Sequence, residues 1–125
     1  MTLDAQALAD RYVALWNEPD PAARRAAIAR LWLPEGVHHV GMRTVRGHDA
    51  LEVRVTGSHD KNVRDAGHVF EAVKNAQALP GVITFNWEMV RPSTGEVLAV
   101  GLEFLQVDAA GCIASDFQFI ASQGL

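Results

Sequence analysis

The residues best suited to chemistry are carboxyls and histidines set in apolar, strand-like stretches. Glu103 lies in Val97–Val107, which reads VLAVGLEFLQV. Strand alternation puts it on one face with Val97, Ala99, Gly101, Leu105 and Val107, and leaves Leu98, Val100, Leu102, Phe104 and Gln106 on the other. Ala99 and Gly101 are small and leave room beside the acid. A carboxyl facing partly empty apolar space is a candidate proton handler. The bulkier face suits packing or a subunit contact. In Cys112–Ala121, CIASDFQFIA, alternation groups Asp116 and Gln118 with Cys112, Ala114 and Ile120. Ile113, Ser115, Phe117 and Phe119 take the other face. His38 and His39 alternate, so one faces inward with Val40. An imidazole titrates near neutral pH and suits a base.

Other chemistries lack their signatures. The five histidines show no HExxH spacing, and a single cysteine allows no CxxC, so no metal is expected. No glycine-rich phosphate loop or nucleophile elbow is present, and Cys112 has no activating motif. Trp16, Trp32, Phe85, Trp87, Met89 and Phe119 are expected to be core. On Val82–Val90, Ile83, Phe85, Trp87 and Met89 form an ordinary buried face opposite Thr84, Asn86 and Glu88.

The elements that must hold these residues follow in chain order. Leu8, Tyr12, Leu15 and Trp16 recur at the spacing of an amphipathic helix from about Leu3 to Trp16. Asn17-Glu18-Pro19 stops it. Asp20-Pro21 caps a second helix, with Ile28, Leu31 and Trp32 on one face and Arg24, Arg25 and Arg30 solvated elsewhere; Pro34 ends it. Val37–Val40 is a short strand, with Thr44–Arg46 returning beside it. A third helix begins near Asp49, although Val53–Thr56 alternates like a strand. Ser58–Gly67 is polar and reads as loop, and His68–Ala76 as strand. Three long strands follow, Val82–Val90, Val97–Val107 and Cys112–Ala121. They are joined by turn-forming sequences at Arg91–Gly95 and Asp108–Gly111.

Helices grouped on one side of an antiparallel sheet make an α+β fold. The 125 residues suit a single domain with one core. Fifteen acidic against eleven basic residues disfavour a nucleic-acid partner. No apolar run approaches the ~20 residues needed to span a bilayer. The N-terminus does not resemble a signal peptide, and the lone Cys112 fits a reducing cytoplasm.

The element order, with the words DRYVALWNEPD, LWLPEGVHHV, RGHDAL and GLEFLQVDAAGCIASDFQFI, resembles the nuclear-transport-factor-2-like superfamily and within it the SnoaL-like group. The resemblance frames almost the whole chain. It implies a cone-shaped α+β barrel, with three N-terminal-half helices packed against a curved antiparallel sheet, and a homodimer through the outer sheet face. Ketosteroid isomerases carry a tyrosine in a word close to RYVALWN, which lands on Tyr12, and an acid that lands on Glu103. There the pair donates hydrogen bonds to a substrate oxyanion, an arrangement that also serves as a general illustration of an acid kept neutral. The isomerases' aspartate base falls on Val40, which can take no proton. SnoaL-like cyclases place that base on the last strand, nearest Asp116.

Two functions stand beside each other at this point. One is a cofactor-free enzyme that abstracts a proton next to a carbonyl of a small apolar molecule. Asp116 or His38 would be its base, with Tyr12 and Glu103 at the oxyanion. The other is a non-catalytic ligand-binding or dimeric interaction module of the same fold, in which Tyr12 is a core tyrosine and the acids are paired or exposed.

Overall fold

The computed structural model describes residues 3–121. These form three α-helices and seven strands, with the helices packed against a curved, unclosed sheet.

Helix α1 spans Ala5–Asn17. The Asp4 carboxylate accepts from the Ala7 amide at 3.0 Å and caps its first turn. Its inner stripe of Leu8, Tyr12, Leu15 and Trp16 is buried, as the spacing predicts. Extended backbone at Glu18, the residue before Pro19, ends it. Helix α2, Pro21–Leu31, starts under an Asp20 cap. Arg24 departs from the solvated face expected for it and is only 4% exposed. Its guanidinium donates to the Glu18 carbonyl at 2.8 Å, which satisfies a group the turn between the helices leaves free.

Strand β1 runs Trp32–Val40 and starts directly from α2, earlier than the expected Val37. Pro34 therefore lies inside a strand rather than at a helix end. It falls where the ladder is interrupted, between Trp32 and Val37, so its missing N–H breaks no sheet bond. His48 Nε2 donates into this interruption, 2.9 Å from the Trp32 carbonyl and 3.1 Å from that of Leu33. That fixes the start of helix α3, His48–Ser58, after the short strand β2, Arg43–Arg46.

The stretch after Ser58 is helical rather than loop. It continues as π-helical turns over His59–Asp65 and stops at Gly67, whose φ of +73° suits a terminator. Its polarity misleads because the segment packs on α1 and α3 with only His59 buried and much of the rest in solvent. An Asp60–Arg64 pair at 3.3 Å and an Asn62-to-Ser58 hydrogen bond at 3.3 Å brace it.

Strands β3 (Val69–Ala72) and β4 (Gln77–Leu79) share one edge of β5 (Val82–Arg91), each pairing half of it. Two amides of α1 grip this edge. Asn17 exchanges two hydrogen bonds with the Phe70 backbone, and Gln6 bonds to the Val73 carbonyl and the Ala76 amide. The helix is thereby held at both ends, and the depth of Tyr12 is set.

Strands β6 (Glu96–Val107) and β7 (Ile113–Ala121) complete the sheet in the order β2-β1-β7-β6-β5-β3. The β6–β7 turn forms as its composition predicts: Asp108 accepts from the amides of Ala110 and Cys112, and Gly111 takes φ +86°. Every pairing is antiparallel except β1 with β7, which is parallel. Strict alternation fails once on β7. A bulge at Ala114 brings Ile113 inward together with Asp116, opposite Val107 and Leu105. Phe119, expected in the core, is 61% exposed on the outer face beside Leu102 at 39%. Among the described residues no helix is long and apolar enough to cross a membrane.

Candidate active site

The parallel pairing of β1 and β7 sets His38 directly beside Asp116. On the other side of β7, Asp116 pairs with Leu105 and Gln118 with Glu103, so the two acids sit one diagonal apart on the inner face. Helix α1 lowers Tyr12 onto the same spot. Its hydroxyl donates to Asp116 Oδ2 at 2.5 Å. His38 Nδ1 lies 2.7 Å from the same oxygen. The four residues singled out from the sequence, Tyr12, His38, Glu103 and Asp116, thus form one cluster, and none is more than 1% exposed.

The protons can be placed from donor chemistry. Arg54 Nε approaches His38 Nε2 at 3.4 Å, and a guanidinium can only donate. His38 Nε2 therefore presents its lone pair, and Nδ1 carries the proton given to Asp116. Asp116 Oδ2 then receives both Tyr12 O–H and His38 N–H, the environment of an ionised carboxylate. Glu103 is its opposite. Its acid strength is weakened well beyond the ordinary glutamate range, first by burial and then by the nearby Asp116 charge. These outweigh the hydrogen bond from Trp87 that favours the anion. Glu103 Oε1 accepts from Trp87 Nε1 at 2.9 Å. The remaining oxygens, Glu103 Oε2 and Asp116 Oδ1, are buried without a well-aligned protein partner. Tyr12 is also pushed well above the usual phenol range, by burial first and then by the charge of Asp116. The site thus holds a carboxylate, a neutral carboxylic acid and a neutral phenol within hydrogen-bonding reach.

Glu103→Gln tests this assignment through stability. The folded chain keeps a proton on Glu103 that the unfolded chain releases near 4.5. Folded protein therefore binds more protons above that pH, and stability falls as pH rises, by about 1.4 kcal/mol per unit for this one group. Glutamine cannot ionise and keeps an acceptor for Trp87. Denaturant unfolding should show the variant gaining on the parent between about pH 5 and about pH 8. An equal difference at both pH values would contradict the assignment.

A cavity of about 530 Å³ opens between α1, α3 with its π-helical extension, and the sheet. Trp16, Phe70, Trp87, Met89 and Ala99 form apolar walls, and Tyr12, Arg54 and Gln118 add polar groups. Ala99 gives room, as its size suggests. Gly101 does not: a Cβ there would lie 2.0 Å from the Trp87 ring, so the indole occupies that space. His38, Glu103 and Asp116 lie behind the lining with no exposure, beneath Tyr12, Trp16, Trp87 and Gln118, each less than a tenth exposed.

Two contributors escaped the sequence reading. Trp87 appeared to be plain core, yet its indole N–H holds Glu103. Its position opposite Gly101, two residues from Glu103 on the same face, was the available sign. Arg54 lay in an ambiguous segment; once Leu51, Val55 and Ser58 are read as a buried helical stripe, it sits beside that stripe. It also stacks over Trp16, 5.0 Å from the ring centroid.

One ligand atom each from His38, Glu103 and Asp116 lie within 4.8 Å of one another, a spacing that could surround a cation. The chemistry fits poorly. Ligand atoms around a tetrahedral zinc stand about 3.3 Å apart, whereas His38 Nδ1 and Asp116 Oδ2 are 2.7 Å apart and share a proton. A guanidinium also rests on the same imidazole.

No family profile and no curated protein sequence matches the chain. Solved structures do. A candidate isomerase of the SnoaL-like family from Agrobacterium tumefaciens superposes with a TM-score of 0.83 at 20% identity, over 94% of this chain and 97% of that one. A candidate polyketide cyclase from Sinorhizobium meliloti gives 0.66 at 12% identity, over 94% of this chain and 100% of that one. An NTF2-like protein of unknown function from Exiguobacterium gives 0.69 at 18%, over 93% and 99%. Many of the structural neighbours are SnoaL-like or NTF2-like, and the chain shares their cone-shaped α+β fold.

Proposed function

We propose that the protein catalyses proton transfer at a carbon next to a carbonyl of a small molecule held in the cavity, using its own side chains. The observation that carries the reading is the pairing of a carboxylate with a neutral acid and a phenol beneath the cavity lining. The names isomerase and polyketide cyclase borne by two structural neighbours are in keeping with it.

In this reading Asp116 is the base and His38 holds it in place; His38 is not itself the base, because its Nε2 faces Arg54. Asp116 takes the proton as the C–H bond breaks. The electron pair becomes the enolate double bond, and the negative charge moves to the substrate oxygen. Asp116, now neutral, loosens its hold on the Tyr12 hydroxyl, which follows the charge to the oxyanion. Glu103 Oε2–H is the second donor. Apolar surroundings strengthen both bonds. Asp116 then returns the proton to a different carbon, giving an isomer, or the enolate attacks a second carbonyl in the same molecule, closing a ring, and the new alkoxide takes the proton back from Asp116. Substrate must part Gln118 and the tryptophans to reach Asp116.

That last requirement favours one other reading. Because His38, Glu103 and Asp116 have no exposure, the cluster could serve as a polar anchor under a pocket that binds without reaction. Deuterium exchange separates the two. The α-protons of 2-tetralone, an apolar bicyclic ketone, should exchange in D₂O faster with the protein than with buffer, by proton NMR. Exchange at the buffer rate, with the ketone shown to bind, would leave the binding module.

A further inference from the structure

The charge of the cavity wall is opposite to that of the chain. Acids outnumber bases fifteen to eleven overall, yet among the described residues Arg43, Arg54 and Lys61 line the cavity and no aspartate or glutamate does. Elsewhere Arg25, Arg64, Lys74 and Arg91 are each matched by a carboxylate, while among the described residues Arg11, Arg24, Arg30 and Arg46 are not. Among the described residues the cavity trio has no such partner. Arg54 instead lies over Trp16 and against His38, and Arg43 stands near enough to oppose its charge. Neighbouring cations repel one another, and an anion between them removes that repulsion. Guanidinium groups also match the paired oxygens of an oxyanion.

We infer that the cavity takes organic anions: molecules with an apolar body that fills the space along Trp16, Phe70 and Met89, and an oxyanion head held by Arg43, Arg54 and Lys61. This rests on the reading of the cavity as the ligand site and adds the substrate class to it. Tyr12 lines the same cavity as these three cations. Neutral ketones of equal size still enter but bind more weakly, because they leave the three cations unmatched.

The test uses two fluorescent probes that differ by one sulfonate, 8-anilinonaphthalene-1-sulfonate and the neutral N-phenyl-1-naphthylamine. Both are titrated into the intact protein and into the double variant Arg43→Glu/Lys61→Glu, which alters exposed side chains and spares Arg54. The anion should bind about tenfold tighter than the neutral probe and displace it. The double variant should weaken the anion by about tenfold or more and change the neutral probe by less than about twofold. Added salt should weaken the anion alone. Displacement by 1-naphthoate and by 1-naphthyl phosphate then distinguishes a carboxylate head from a phosphate head. Equal binding of the two probes, unaffected by the double variant, would overturn the anion inference and leave the pocket reading standing. Binding of neither probe would overturn both.

Discussion

Gly101→Ala should destabilise the protein by about 3 kcal/mol or more. The added methyl carbon would lie 2.0, 2.1 and 2.4 Å from three atoms of the Trp87 indole, inside any real contact distance. The ring has nowhere to go. Its N–H is bound to Glu103, and Phe70 meets it edge-on at 5.6 Å. Either β6 shifts away from β5 or the indole leaves its place. The second outcome strips Glu103 of its hydrogen bond and opens the wall of the cavity. For a domain of this size the loss corresponds to roughly 10 °C in melting temperature. Calorimetry reads it directly. The double change Gly101→Ala/Trp87→Leu should cost less than the two single changes together, because removing the ring removes the collision. A Gly101→Ala protein as stable as its parent would mean that the indole does not fill that space.

Asp116→Asn should reduce exchange of 2-tetralone protons by about 10²- to 10⁴-fold, the usual contribution of a positioned base. Asparagine has the shape of aspartate and retains one oxygen for Tyr12 and His38, so the fold should persist. It cannot take a proton, and it brings no negative charge. The change therefore has a second signature. The Asp116 charge is the second-largest cause, after burial, of the upward shift in both Glu103 and Tyr12. Without that charge both groups should titrate lower than in the parent. A merely structural aspartate would not couple the two readouts. Unchanged exchange in Asp116→Asn would remove it as the base.

Much of this arrangement was legible before the coordinates. Helical spacing marked Tyr12 as inward, and strand alternation put Glu103 inside with Ala99 and Gly101. The Asp108–Gly111 turn carried its own chemistry in the Asp side chain. These are local features, set by periods of a few residues. What local period could not supply was partnership. Tyr12 meets Asp116 across 104 positions and His38 meets it across 78, through a parallel pairing that no turn dictates. The bulge at Ala114 also broke alternation where it mattered, since strict parity separates Ile113 from Asp116. The helical stretch beyond Ser58 was hidden because its polar composition is that of a loop. Gly101 illustrates a different limit. Its smallness points to open space beside Glu103, and the facing strand shows instead that Trp87 fills it.

The account depends on two neighbouring carboxyls holding different charges, Glu103 neutral and Asp116 ionised. The most direct measurement is carbon NMR of protein labelled at the glutamate side-chain carboxyls, followed through a pH titration and assigned with Glu103→Gln. The account predicts a Glu103 resonance that stays in its protonated position well above pH 4.5, the ordinary value for an exposed glutamate side chain. A Glu103 signal that titrates together with those exposed groups would contradict it.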